Sequence, residues 1–214
     1  MLPFASSVRR WTVTALLAST ALLALAFSPA LARAAAQVGK AAPPFTLSDV
    51  DGKPHSLGAD QGKVVVLEWF NYDCPFTRKH YDSGNMQGLQ KKYTQEGIVW
   101  LAINSSAPGK QGNYPPDKMK QLAAAKGAAP SSVLLDPDGT VGMSYGAKTT
   151  PHMFVIDRTG VLVYDGAIDD RASTDPADVK GARNYVALAL DEVLAGKPVS
   201  TASTTPYGCS VKYK

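Results

Sequence analysis

Two cysteines, Cys74 and Cys209, are the side chains here with the widest chemical reach. Cys74 lies in VVVLEWFNYDCPFT, residues 64–77, where an apolar β-prone run gives way to a loop and then to a helix start. A thiol at that junction sits at the helix N-terminus. Unpaired N–H groups and the positive end of the helix dipole favour thiolate over thiol there. Pro75 suits the first helical position, where its missing N–H costs nothing. Arg78, Lys79 and His80 follow within two turns, with Arg78 the foremost cationic partner, while Asp73 opposes them. A thiolate so placed attacks a peroxide or a disulfide. Glu68 is an acid inside the strand-forming run, and an unpaired buried carboxylate is costly. It either reaches solvent at the end of the sheet or exchanges protons near the thiol.

Cys209 lies in Tyr207-Gly208-Cys209, in a Pro-, Ser- and Thr-containing tail that reads as irregular and mobile. Three arrangements are open to the cysteines: a redox couple, a permanent bridge pinning the tail, or two separate thiols. Compartment bears on the choice. Arg9 and Arg10, the apolar stretch Val13 to Phe27 and the small residues Ala30 to Ala36 read as an export signal, residues 1–34. The apolar stretch is about 15 residues against roughly 20 for a spanning helix. The expected location is therefore periplasmic or secreted, where disulfides persist. Residues 1–34 carry three arginines and no acid, so 19 of the 22 basic residues remain against 18 acidic ones. That balance gives no reason to expect nucleic acid or a membrane surface as partner once the signal is removed.

The elements that must hold these groups can be read from periodicity. Phe45-Thr46-Leu47 and His55-Ser56-Leu57, around the turn 49–53, predict an N-terminal hairpin. Val64–Phe70 and Ile98–Asn104 predict buried strands. A helix is predicted over 75–95, with a break near Ser83-Gly84. Further helices are predicted from Pro116 to Lys126, over 140–145 and over 179–195. Strands are predicted at 132–135, 152–157 and 161–165, the last two joined by Arg158-Thr159-Gly160. The order implies an α/β fold, a central mixed β-sheet flanked by helices, with a hairpin extension at its N-terminus. It divides into residues 35–196 as one domain and 197–214 as the tail.

The strand, loop and helix start around Cys74 resemble those of thioredoxin-like proteins, with Thr77 in place of the second motif cysteine. Thr149-Thr150-Pro151-His152 resembles their cis-proline segment. Ala42-Pro43-Pro44-Phe45 and Asp51-Gly52-Lys53 resemble the alkyl hydroperoxide reductase/thiol-specific antioxidant (redoxin) branch. The endings around Gly166-Ala167-Ile168-Asp169-Asp170 and Tyr207-Gly208-Cys209 resemble its peroxiredoxin-like members. The resemblance implies a thioredoxin-like fold with a cis Pro151 facing Cys74, and a free Thr150 backbone able to pair with an extended peptide. It implies thiol-dependent redox catalysis: Cys74 attacks a peroxide or a protein disulfide, Cys209 resolves the product, and an external thiol reductant resets the pair. No cofactor and no metal are expected. Glu68, Asn71, Pro75, Thr77, Arg78, Thr150 and Pro151 would support the reaction. Two departures stand out. The local dithiol is absent, and Leu67 and Asn71 replace the proline and hydroxyl residue that precede a peroxidatic cysteine. Asn71 would then supply the hydrogen bond toward peroxide or thiolate. No nucleotide fingerprint or Ser-His-Asp arrangement is present.

Overall fold

Two buried, mostly apolar runs, Val65–Trp69 and Val99–Asn104, build the middle of a sheet. The computed structural model describes Met1 and residues 35–214, so the expected export signal lies outside the described residues apart from Met1. The chain enters through a hairpin, β1 (Thr46–Asp49) and β2 (Pro54–Ser56). It then runs through β3 (Val65–Trp69), α1 (Pro75–Asp82), α2 (Asn85–Gln95), β4 (Val99–Asn104), α3 (Pro116–Ala125), β5 (Ser132–Leu135) and α4 (Thr140–Tyr145). β6 (Thr149–Thr150), β7 (His152–Ile156), β8 (Leu162–Gly166), α5 (Tyr185–Leu194) and β9 (Cys209–Ser210) complete it. The main sheet has the order β2-β1-β5-β4-β3-β7-β8. Its β3–β4 and β4–β5 pairs are parallel, and its outer pairs are antiparallel.

Strand periodicity divides the core. Val65, Leu67 and Trp69 join Leu101, Ile103, Phe154 and Tyr145 on one face. Val66 meets Tyr81, Met86, Tyr93, Trp100, Val186 and Leu190 on the other, beneath α1, α2 and α5. Successive strand residues point to opposite faces, so Glu68 falls on the side of Val66, under the helices.

The break predicted near Ser83-Gly84 separates α1 from α2, because Gly84 adopts a left-handed conformation at φ 75°. The structure departs from the sequence-based expectations in two places. The last helix starts at Tyr185 and not Val179: Gly181 also takes positive φ, and the Asn184 side chain accepts from the Ala187 N–H at 2.8 Å. The tail is held. β9 pairs antiparallel with β6, Val211 is in the core, and the Ala107 N–H donates to the Lys212 carbonyl at 2.8 Å. Among the described residues no helix is long and apolar enough to cross a membrane.

If Asn184 is the cap that starts α5, Asn184→Ala lowers unfolding free energy by about 1 kcal/mol. A urea midpoint equal to the wild type would refute that assignment.

Candidate active site

β3 delivers the chain to residues 70–73, and Cys74 follows as the N-cap of α1 with Pro75 in its first turn. The loop is braced locally. The Asp73 N–H donates to Asn71 Oδ1 at 2.9 Å, and the Cys74 N–H donates to the Asn71 carbonyl at 3.0 Å. From the opposite side comes the Thr150–Pro151 bond, which is cis. Cys74 Sγ lies 3.0 Å from the Thr150 carbonyl oxygen and 2.6 Å from Cys209 Sγ. Both cysteines are free thiols, so a disulfide between them needs only a small adjustment.

The two sulfurs are electrostatically unequal. Burial pushes the Cys74 thiol up. Hydrogen bonding from the Cys209 thiol and from the Thr77 and Cys209 backbone N–H groups outweighs it and holds Cys74 below the ordinary cysteine value. Cys209 moves the other way, pushed up to about 11 by burial and by the negative charge of Cys74. One proton shared between the two close sulfurs is therefore held at Cys209 in preference to Cys74.

Several expected neighbours of the thiol are engaged elsewhere. Arg78 is the clearest correction: its side chain is 56% exposed and faces Asp82 at 3.8 Å, one turn along the helix. The thiolate is favoured by hydrogen bonding at the helix start and not by that guanidinium. Asn71 is a second correction, because its Nδ2 donates to the Gln111 carbonyl at 3.2 Å, bracing a loop and not the thiol. Thr77 is buried one turn into α1, and its hydroxyl has no partner. Asp73 accepts from the Tyr114 hydroxyl at 2.8 Å. The Thr150 backbone, expected to be open to a peptide, is already paired in register with Cys209. In consequence Cys74, expected to be reachable, is fully buried.

Glu68 does not reach solvent. It is fully buried, and it accepts from Tyr81 Oη at 2.9 Å, Gln90 Nε2 at 2.9 Å and Trp100 Nε1 at 2.8 Å. Burial raises its pKa, and the three donors only partly oppose the rise. His152 sits between Asp165, 2.7 Å from Nε2, and the Lys148 N–H, 3.1 Å from Nδ1, so neither ring nitrogen is free. Among the described residues no group of three or more His, Cys, Asp or Glu is placed to hold a metal ion.

Residues 38–165 match the AhpC/TSA family, which is more than half of the chain. The chain belongs to the AhpC/TSA family. Within it the chain is similar to the thiol:disulfide interchange protein DsbE of Escherichia coli K12, 30% identical over 139 residues, 63% of this chain and 67% of that protein. A solved conserved protein of Geobacillus kaustophilus, described as uncharacterized, superposes with a TM-score of 0.73 and 30% identity. That likeness covers 83% of this chain and 93% of the other. The thioredoxin domain of a thiol-disulfide oxidoreductase from Bacteroides vulgatus, at 20% identity and a TM-score of 0.50, covers 67% of this chain and 96% of its own. It shows the thioredoxin-like fold alone. This AhpC/TSA chain brings its second thiol to the start of α1 from a distant tail.

Lys79 and His80, expected to add positive potential near the thiol, are buried and turn to Asp169 and to Tyr207, a residue with no expected role. Their signal was faint: two cations in a helix that packs on a sheet, and acids at 169 and 170 opposite the tail.

The raised pKa of Glu68 fixes the sign of a pH effect. The folded state keeps the Glu68 proton where the unfolded chain has lost it, above about pH 4.3. Its contribution is therefore greatest in acid and falls as pH rises toward the folded value. The unfolding free energy of the wild type minus that of Glu68→Gln should decline between pH 4 and pH 7 in urea titrations. A flat or rising difference would contradict the assigned shift.

Proposed function

We propose that this protein is a thiol-dependent oxidoreductase working through a Cys74–Cys209 couple, with a disulfide as its substrate. The supporting observation is one juxtaposition: a low-pKa thiol at a helix N-terminus, 2.6 Å from a high-pKa thiol and beside the residue preceding a cis-proline. Membership of the AhpC/TSA family and similarity to proteins named as thiol:disulfide interchange proteins support the same class. The Cys74 thiolate attacks one sulfur of the substrate disulfide, forming a mixed disulfide and releasing the other sulfur as a thiolate. That leaving thiolate takes up a proton. Cys209 then loses its own proton and attacks Cys74 Sγ, expelling the second substrate thiolate and closing the Cys74–Cys209 bridge. An external dithiol reduces the bridge and carries away the electron deficit. The export pattern in residues 1–34 supports a periplasmic or secreted setting for this chemistry.

A second reading, reduction of a peroxide, is favoured by the burial of Cys74, since a small oxidant needs less opening than a protein disulfide. Thiolate attack on the peroxide would give a Cys74 sulfenic acid and an alcohol or water. Condensation with the Cys209 thiol would then release water and form the same bridge. The absent proline and hydroxyl before Cys74, and the orientation of Asn71, weigh against it.

Mass spectrometry of non-reduced protein after treatment with oxidised glutathione or with hydrogen peroxide tests the couple. The wild type should show a reducible Cys74–Cys209 bridge. Cys209→Ser should trap a glutathione adduct or a sulfenic acid on Cys74 and complete one turnover only. Cys74→Ser should turn over neither oxidant. Steady turnover by Cys74→Ser would end the proposal, and the faster oxidant in the wild type decides between the readings.

A further inference from the structure

We propose that Tyr207 is a positioning residue that docks Cys209 against Cys74, using the same helix that carries Cys74 at its N-terminus. The inference rests on the redox couple proposed above and names what assembles it. Phe76, Lys79 and His80, all on α1, grip the Tyr207 side chain. The ring meets Phe76 edge-on with centroids 5.9 Å apart, and Lys79 Nζ lies 5.5 Å from its centroid. The hydroxyl donates to Asp169 Oδ1 and lies 3.1 Å from His80 Nε2 and 3.5 Å from Lys79 Nζ.

Asn85 Nδ2 lies 2.9 Å from His80 Nδ1, and with that amide donating, Nε2 carries the ring proton and faces the Tyr207 hydroxyl. Burial agrees, because it lowers the His80 pKa to about 4 and keeps the ring neutral. Lys79 is fully buried. It donates to the Arg171 carbonyl at 2.5 Å and faces Asp169 at 3.6 Å, so both charges depend on the contacts that hold Tyr207. Removing one member leaves a buried charge under-satisfied, which makes the arrangement a latch and not a loose contact.

Gly208 converts that anchorage into position. It takes φ 140°, and a Cβ there would collide with the Thr150 carbonyl oxygen. That oxygen is also the one 3.0 Å from Cys74 Sγ. Anchor, close approach and thiol are thus consecutive residues, and α1 sets the distance between the two sulfurs. The same latch keeps β9 on β6, so an external polypeptide reaches Cys74 only after Tyr207 leaves its seat.

A docked tail raises the effective concentration of Cys209 at Cys74, and so the stability of the bridge relative to mixed disulfides with an external thiol. The test is the equilibrium between full-length wild-type protein and its variants in glutathione redox buffers, read by alkylation and mass spectrometry. Tyr207→Ala should lower the equilibrium constant for bridge formation at least tenfold, equivalent to a rise of about 30 mV in reduction potential. It should also speed alkylation of reduced Cys74. Tyr207→Phe keeps the ring contacts and loses the hydrogen bonds, so its constant should lie between the two. A merely structural role predicts a lower melting temperature with the constant unchanged. A folded Tyr207→Ala within threefold of the wild type overturns the proposal. If Tyr207→Ala does not fold, Tyr207→Phe decides it: a constant at least threefold below wild type supports the latch, and the wild-type value overturns it. If the wild type itself forms no Cys74–Cys209 bridge in these buffers, the couple fails and the latch fails with it.

Discussion

The Thr150 carbonyl oxygen is the meeting point on which the site depends. Cys74 approaches it from the start of α1, and Gly208 packs against it from the tail. Burial on its own would hold the Cys74 sulfur protonated and inert. The helix start and a second thiol together reverse that preference. Proximity in sequence does not bring the two together. They coincide because β7, which begins one residue after Pro151, pairs with β3, which ends five residues before Cys74.

Orientation of α1 is consequently the geometric requirement, and polar networks secure it on two sides. Toward the sheet, Tyr81 binds Glu68, which also accepts from Gln90 on α2 and Trp100 on β4. Toward the tail, Lys79 and His80 bind Tyr207 and Asp169. Apolar packing would stabilise such a helix more simply, since desolvating charges can cost more than their attraction returns. What directional bonds add is a fixed rotation and translation, which a sulfur aimed at another sulfur requires.

The tail reconciles a buried nucleophile with redox chemistry. β9 covers the β6 edge and Cys209 lies against Cys74, so in the proposed reaction the tail stands where a substrate strand and its sulfur would enter. Reduced protein is therefore self-occupied. A substrate must compete with an intramolecular strand, which favours small oxidants or partners able to displace it.

Much of this was legible along the chain. The run at 64–70, Pro75 after Cys74 and Gly84 inside a helical stretch are local preferences, and the strand, the helix start and the break appear where they point. The helix over 179–195 misled because Val179 and Ala182 continue an apolar rhythm that Gly181 and the Asn184 cap interrupt. The sequence alone determined the elements, the helix-start environment of Cys74 and the anomaly of an acid at 68, because each depends on neighbours a few residues away. Only the tertiary structure decided that Arg78 faces solvent, that Asn71 braces a loop, and that Glu68 and Tyr207 lie at the centres of two cages. Those outcomes depend on which distant strands pair and which helix faces meet, and local preference carries no record of that choice.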